Sequence, residues 1–98
     1  MNEFVCINAR VLLENGSFAD DCTVVVSDGR ISLVAVNGSA PEHMDMVDLG
    51  GNLLVPGFID VQVNGGGGAL FNDAPSVETI RTIASAHYQT GTTGFLPT

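Results

Sequence analysis

The spacing of hydrophobic residues changes near the middle of the chain and divides it into two parts. In the first part, β-branched and apolar residues form four short runs, at residues 4–8, 10–13, 22–26 and 30–36. Asn15-Gly16 and Asp28-Gly29 are strong turn signals between such runs, and a type I′ hairpin turn favours the Asp-Gly pair. We therefore predict a small antiparallel β unit of the sandwich type over residues 1–52.

Residues 58–64 show the clearest alternation in the chain. Aliphatic side chains occupy every second position, at Ile59, Val61 and Val63. The positions between them carry Phe58, Asp60, Gln62 and Asn64. Period-two alternation is typical of a β-strand with two different faces. The polar face meets water in a half-exposed strand and points inward in a strand of an α/β barrel, and the pattern alone fits both.

A helix is predicted after the run of four glycines. From Val77 to Tyr88, apolar residues recur at three- and four-residue spacing, which gives a helix one apolar stripe. Ser76 or Asp73 is suited to the N-cap position, because a short polar side chain there can accept from free backbone amides. A further β-rich run follows the helix. The order strand, helix, strand predicts a parallel βαβ unit over residues 53–98.

The composition is that of a buried globular fold rather than of an independent small domain. The chain has 98 residues, of which 45% are hydrophobic and only 14% are charged. Small domains expose much surface and usually carry more charge, so this balance suggests a piece of a larger fold. The formal net charge of −8, with three arginines and no lysine, excludes nucleic acid and anionic membranes as expected partners.

The two cysteines indicate a cellular compartment. Cys6 and Cys22 lie in apolar, strand-like segments without the CxxC or Cys/His spacing of a metal site. Buried free thiols are the simplest interpretation, and they are typical of a reducing compartment. The opening residues 1–3 also lack the basic start and long apolar core of a signal peptide. We therefore expect a cytoplasmic protein.

Residues 56–65 carry the most specific motif, with the sequence PGFIDVQVNG. This segment resembles the signature of the amidohydrolase superfamily, in which PGFID is followed by an H-x-H pair whose histidines bind metal. Gln62 and Asn64 stand at the two histidine positions, and this departure is similar to the N-acetylglucosamine-6-phosphate deacetylase family. The runs FND and GTTGFLPT, at residues 71–73 and 91–98, are similar to that family as well.

The resemblance implies an α/β fold in which a TIM-like (β/α)8 metallo-dependent hydrolase barrel follows the small antiparallel β unit. It also implies a hydrolase that deacetylates N-acetylglucosamine 6-phosphate with a divalent metal, zinc or iron. The metal ligands and the proton-transferring carboxylate would lie outside these 98 residues. None of the residues present is therefore expected to be a catalytic residue or a direct metal ligand. An amino-sugar phosphate is the implied substrate, and a homodimer is the expected assembly.

Three residues are candidates for lining the implied active site, namely Gln62, Asn64 and Asp60. Imidazole is a good ligand for zinc or iron, whereas carboxamides are weak neutral ligands. Replacing both histidines should remove or weaken one of the superfamily's two metal positions, so Gln62 and Asn64 would hydrogen-bond a bound water molecule or the substrate. They could instead be polar residues that fill the barrel. Asp60 could orient site residues or cap backbone amides near the strand.

The glycine run and the two histidines have simpler explanations beside the functional ones. Gly65 to Gly68 could cradle a phosphate, but the run matches neither GxxxxGK(S/T) nor GxGxxG, so a tight loop that needs positive φ is the favoured explanation. His87 falls on the helix stripe, which favours packing or a role at the helix end. His43 lies in a polar loop, where we expect it to be solvated.

Two other classes of function remain open from the sequence. One is a dihydroorotase- or dihydropyrimidinase-like amidohydrolase, although such enzymes carry histidines where Gln62 and Asn64 stand. The other is a non-catalytic, β-rich assembly module, which the absence of a complete site within 98 residues favours. We expect the isolated chain to lack deacetylase activity and to self-associate through exposed apolar strands.

Overall fold

The computed structural model describes residues 2–98 and divides them into two compact units. The first unit ends at Val55 and the second runs from Pro56 to Thr98. This division lies three residues after the boundary expected from the sequence. The reason is that Leu53 and Leu54 pair with the first strand and so extend the first unit.

One sheet of five strands forms the first unit. The strands are β1 (Glu3–Leu12), β2 (Phe18–Ser27), β3 (Arg30–Val36), β4 (Asp45–Asp48) and β5 (Leu53–Leu54). The order across the sheet is β3-β2-β1-β4, and β5 also pairs with β1. The β1–β2 and β2–β3 pairs are antiparallel, as predicted.

The prediction of a wholly antiparallel unit is wrong for β4 and β5, which both run parallel to β1. Phe4 lies opposite Asp45 in the first of these pairs, and Arg10 lies opposite Leu53 in the second. The chain crosses from β3 at one edge to the far side of β1, and a crossover of this kind leaves no local signal in the sequence. The described strands of the first unit make a single sheet, so the second layer of a sandwich stays a prediction.

The hairpin between β2 and β3 is confirmed at the Asp-Gly pair. Ser27 pairs with Arg30, and the two residues between them have φ angles of 50° (Asp28) and 74° (Gly29). Positive φ at both central positions is what a type I′ turn requires, and its twist matches that of the strands it joins. The turn therefore sets the register of the two pairs beside it, and a bulge between Val25 and Val26 shifts the register beyond them.

Asn8, in the middle of β1, forms a bulge that decides which residues reach the core. It has a positive φ of 53°, and one extra residue separates the Cys6–Val24 pair from the Ala9–Cys22 pair. The bulge lets Cys6 and Ala9 join one buried cluster although three positions separate them. The cluster consists of Cys6, Ala9, Val11, Cys22 and Val24. Burial raises the pKa of the Cys6 thiol, which favours its neutral form as expected for a structural cysteine.

The second unit has the predicted strand, helix, strand order. Its elements are β6 (Phe58–Val63), β7 (Gly65–Gly66), β8 (Ala69–Leu70), α1 (Val77–Tyr88) and β9 (Thr92–Pro97). Strands β6 and β9 pair in parallel, which confirms the βαβ unit. Strands β7 and β8 form a small antiparallel hairpin between β6 and the helix. The full eight-stranded barrel stays an expectation.

Helix α1 begins at the residue that its capping chemistry favours. Ser76, and not Asp73, is the N-cap, and its hydroxyl accepts a 3.2 Å hydrogen bond from the amide of Thr79. Ile83 on the predicted stripe is fully buried, whereas Tyr88 at the end of the stripe is exposed. Within residues 2–98, no helix is both long enough and apolar enough to cross a membrane.

Candidate functional site

The predicted site residues lie at the carboxyl end of β6, where the strand has a bulge. Asp60 pairs with Phe95 and Val63 pairs with Pro97, so three steps along β6 match two along β9. The carboxylate of Asp60 accepts a 3.1 Å hydrogen bond from the backbone amide of Gln62, which lies in this irregular stretch. Asp60 thus makes the amide-capping contact that was one of its two expected roles.

Asn64 follows β6 and is held from two sides. Its side-chain amide lies 3.4 Å from the hydroxyl of Thr98, and its carbonyl accepts a 2.9 Å hydrogen bond from the amide of Phe71. The amide of Thr98 in turn donates to the carbonyl of Val63 at 2.9 Å. The ends of the two parallel strands therefore place Asn64 beside Thr98, a neighbour that the sequence analysis did not identify.

Gln62 and Asn64 are both exposed. They lie at the same end of the β6–β9 strand pair but share no hydrogen bond. Among residues 2–98, no hydrogen bond links the Gln62 carboxamide to Asn64 or to Asp60. Exposed carboxamides with free donors and acceptors are suited to contact a polar ligand. Their role as site residues stays a prediction, as does the alternative that they only fill space.

The glycine run forms the tight hairpin of β7 and β8, which directly follows Asn64. Gly67 and Gly68 occupy the turn with φ angles of 61° and 81°. Side chains other than glycine rarely adopt this pair of conformations. The geometry supports the tight-loop interpretation, and phosphate binding by this loop stays a hypothesis.

His87, near the end of α1, contacts the same hairpin. Its Nε2 atom lies 2.9 Å from the carbonyl oxygen of Gly65, and its ring centroid lies 6.5 Å from that of Phe95 on β9. The stripe pattern predicted packing for this histidine, but it gave no indication of the carbonyl partner. The other histidine, His43, is exposed in a loop of the first unit.

The residues present do not fit a metal site. In the part of the chain that the structure describes, no group of three or more His, Cys, Asp and Glu side chains could hold a metal ion. On β6 itself, Asp60 is the ionisable residue, and the two positions after it carry weakly ligating carboxamides.

Known proteins match this chain closely over most of its length. An N-acetylgalactosamine-6-phosphate deacetylase from Shewanella sp. (strain ANA-3) is 45% identical over 89% of the chain and 23% of its own length. An N-acetylglucosamine-6-phosphate deacetylase from Haemophilus influenzae is 40% identical over 80% of the chain and 20% of its own length. The chain thus spans about a quarter or less of the curated relatives that it matches. No protein-family model matches it.

A solved structure of an N-acetylglucosamine-6-phosphate deacetylase also has this fold. N-acetylglucosamine-6-phosphate deacetylase from Pasteurella multocida superposes with a TM-score of 0.88 at 34% identity, covering 97% of this chain and 25% of the other. A β unit that leads into a PGFID strand and a parallel βαβ unit defines an amidohydrolase-type protein. Within that class, the chain belongs to the N-acetylglucosamine-6-phosphate deacetylase family and corresponds to its N-terminal region.

Proposed function

We propose that the chain is part of an enzyme that hydrolyses the acetamide bond of an N-acetylhexosamine 6-phosphate. Water attacks the acetyl carbonyl, the carbon–nitrogen bond breaks, and acetate and a protonated amino-sugar phosphate are released. The observation that carries the proposal is the pair Gln62 and Asn64 at the carboxyl end of β6, in a segment similar to deacetylases of both N-acetylglucosamine and N-acetylgalactosamine phosphates. Barrel enzymes place their sites at this end of their strands.

We assign Gln62 and Asn64 to the lining of the active site, where they hydrogen-bond the substrate or the attacking water. A carboxamide offers both a donor and an acceptor, so it can hold a neutral acetamide without adding charge. Asp60 supports this surface through the amide of Gln62 rather than by contacting the substrate. In this assignment, Asp60 fixes the backbone at the strand end, and the two carboxamides form hydrogen bonds to the substrate or the attacking water.

The enzyme is proposed to use a divalent metal, zinc or iron, held by side chains outside residues 2–98. The carboxamides at positions 62 and 64 leave the ligand set to other parts of the protein. We further propose an amino-sugar phosphate as the substrate, a homodimer as the assembly and the cytoplasm as the location. The two free cysteines, Cys6 and Cys22, support a reducing compartment.

A chimera tests the function. Residues 1–98 would replace the matching segment of the Haemophilus influenzae relative, and release of acetate from N-acetylglucosamine 6-phosphate and N-acetylgalactosamine 6-phosphate would be measured. We expect metal-dependent turnover of at least one of them, with the unaltered relative as the positive control and the isolated 98-residue chain as the inactive reference.

The other outcomes separate the alternatives. A folded chimera that hydrolyses dihydroorotate, and neither sugar phosphate, would favour the dihydroorotase-like function. A folded chimera that is inactive on all three substrates would favour the non-catalytic module. Circular dichroism and thermal unfolding establish folding in each case, so loss of structure is not mistaken for loss of function.

A further inference from the structure

We propose that His87 is a positioning residue for Asn64 and that it acts through the carbonyl group of Gly65. This proposal rests on the proposed function, because it gives Asn64 a place in the active site. His87 itself lies on the helix and contacts the hairpin behind Asn64, so we do not place it against the substrate.

Two successive carbonyl groups define the backbone at Asn64. The Asn64 carbonyl accepts from the amide of Phe71, and the next carbonyl, that of Gly65, lies 2.9 Å from His87 Nε2. The first contact closes the base of the β7–β8 hairpin, and the second ties that hairpin to α1. Because both carbonyls are held, the backbone at Asn64 cannot rotate freely. This fixed backbone directs the Asn64 side chain towards the hydroxyl of Thr98.

The contact requires a particular form of the histidine. A backbone carbonyl only accepts hydrogen bonds, so Nε2 of His87 must carry the proton. A glutamine side chain can present an N–H donor near the same place, whereas leucine has similar bulk and no donor. The pair of variants His87→Gln and His87→Leu therefore separates the hydrogen bond from packing.

The hairpin is shaped to receive this side chain. A Cβ atom added at Gly66 would lie 2.9 Å from His87 Nε2 and 3.0 Å from its Cδ2, closer than ordinary contacts allow. The imidazole ring is also a neighbour of the Phe95 ring, with 6.5 Å between the two centroids, and the strand of Phe95 pairs with β6 at Asp60. His87 thus links the glycine hairpin, the helix and the strand beside the site.

The first test measures kinetics in the active chimera. A displacement of about 1 Å in a group that contacts the reaction can lower the rate by about 100-fold. We therefore expect His87→Leu to lower kcat by about tenfold or more, with a smaller change in KM, and His87→Gln to recover most of the loss. His43→Leu, at the only other histidine in the chain, should leave kcat unchanged. Equal losses in the Leu and Gln variants at matched thermal stability would overturn the proposal.

A double-mutant cycle tests whether His87 acts through Asn64. The substitution His87→Leu is made in the native chimera and in the Asn64→Ala chimera. If His87 acts through Asn64, His87→Leu lowers kcat much less in the Asn64→Ala chimera than in the native chimera. Additive losses in kcat would show that His87 acts elsewhere and would overturn the proposal.

Two further measurements keep the proposal testable if a variant misfolds or the chimera is inactive. If His87→Leu fails to fold, Gly66→Ala is the second variant. It keeps the histidine, but its added methyl group occupies the space that the imidazole needs. An unchanged kcat in Gly66→Ala would contradict the proposal. If the unsubstituted chimera hydrolyses neither sugar phosphate, the proposed function fails by itself. Crystal structures of the chimera with and without His87→Leu then decide the positioning claim, which an unmoved Asn64 side chain would refute.

Discussion

The side-chain amide of Asn8 donates a 3.0 Å hydrogen bond to the carboxylate of Asp48, 40 positions further along the chain. The same carboxylate oxygen accepts a 2.9 Å hydrogen bond from the amide of Gly50. Asn8 is the bulge residue of β1. Asp48 is the last residue of the parallel strand β4 and pairs with Ile7, the residue before Asn8. The hydrogen bond from Asn8 and then that from Gly50 hold the pKa of Asp48 below its usual value of 3.8.

The first prediction concerns pH. A carboxyl group with a depressed pKa in the folded state stabilises the fold above its unfolded pKa, and that stabilisation is lost as the pH falls through the folded value. The first unit should therefore lose stability as the pH falls below about 3.8. Urea unfolding of Asp48→Asn at several pH values should show a weaker acid dependence. Asp45→Asn, at the start of the same strand, is the matched control, and an equal change in both variants would contradict the assignment.

The second prediction concerns the core of the second unit. Ile83 is fully buried, whereas Val77 on the same helix is 63% exposed. Removing a buried aliphatic side chain leaves a cavity and typically costs about 2–5 kcal/mol, while exposed positions change stability by only about 0.5 kcal/mol. Ile83→Ala should thus lower the free energy of unfolding far more than Val77→Ala. Denaturant unfolding with similar midpoints for the two variants would refute the burial of Ile83 in this core.

The third prediction concerns the start of the helix. The hydroxyl of Ser76 caps the amide of Thr79, and loss of such a cap costs about 1 kcal/mol. Ser76→Ala should lower helix stability by about this amount. Asp73→Ala should change it little, although both residues suited the N-cap position by sequence. Amide hydrogen exchange in the first turn measures the difference directly, and faster exchange in the Asp73 variant alone would reverse the assignment.

The sequence predicted the local features of this fold better than the distant ones. The turn at Asp28-Gly29 and the cap at Ser76 follow from residue chemistry within a few positions; the turn was predicted, and Ser76 was one of two predicted caps. The parallel pairing of β4 with β1 depends on a crossover between distant segments, so it was missed. A short polar strand can pair in either direction without changing its own pattern.

The candidate site shows the same division. Gln62 and Asn64 became candidates because they depart from a known motif at fixed positions, and their role stays a prediction. The neighbours that hold Asn64 could not be recognised in this way. Thr98 reaches it through the parallel pairing of two strands, and His87 reaches the adjacent carbonyl through the packing of a helix on a glycine hairpin. Neither contact leaves a spacing that a sequence pattern would show.

The fourth prediction concerns the two carboxamides on the proposed active-site strand. Imidazole binds zinc and iron far better than a carboxamide does, so Gln62→His together with Asn64→His should create two new metal-ligating nitrogens at the end of β6. We expect the doubly substituted chimera to bind about one more metal ion per chain than the unsubstituted chimera. Both substitutions are needed, because most metal sites require several ligands acting together.

The matched controls for this prediction are the two single substitutions, each of which supplies only one nitrogen. Inductively coupled plasma mass spectrometry on dialysed protein measures the metal content of all four chimeras. The singles should resemble the unsubstituted protein, and the double variant should differ. If the double variant gains no metal while remaining folded, the end of β6 does not face the metal-binding region, and the assignment of Gln62 and Asn64 to the active site is wrong.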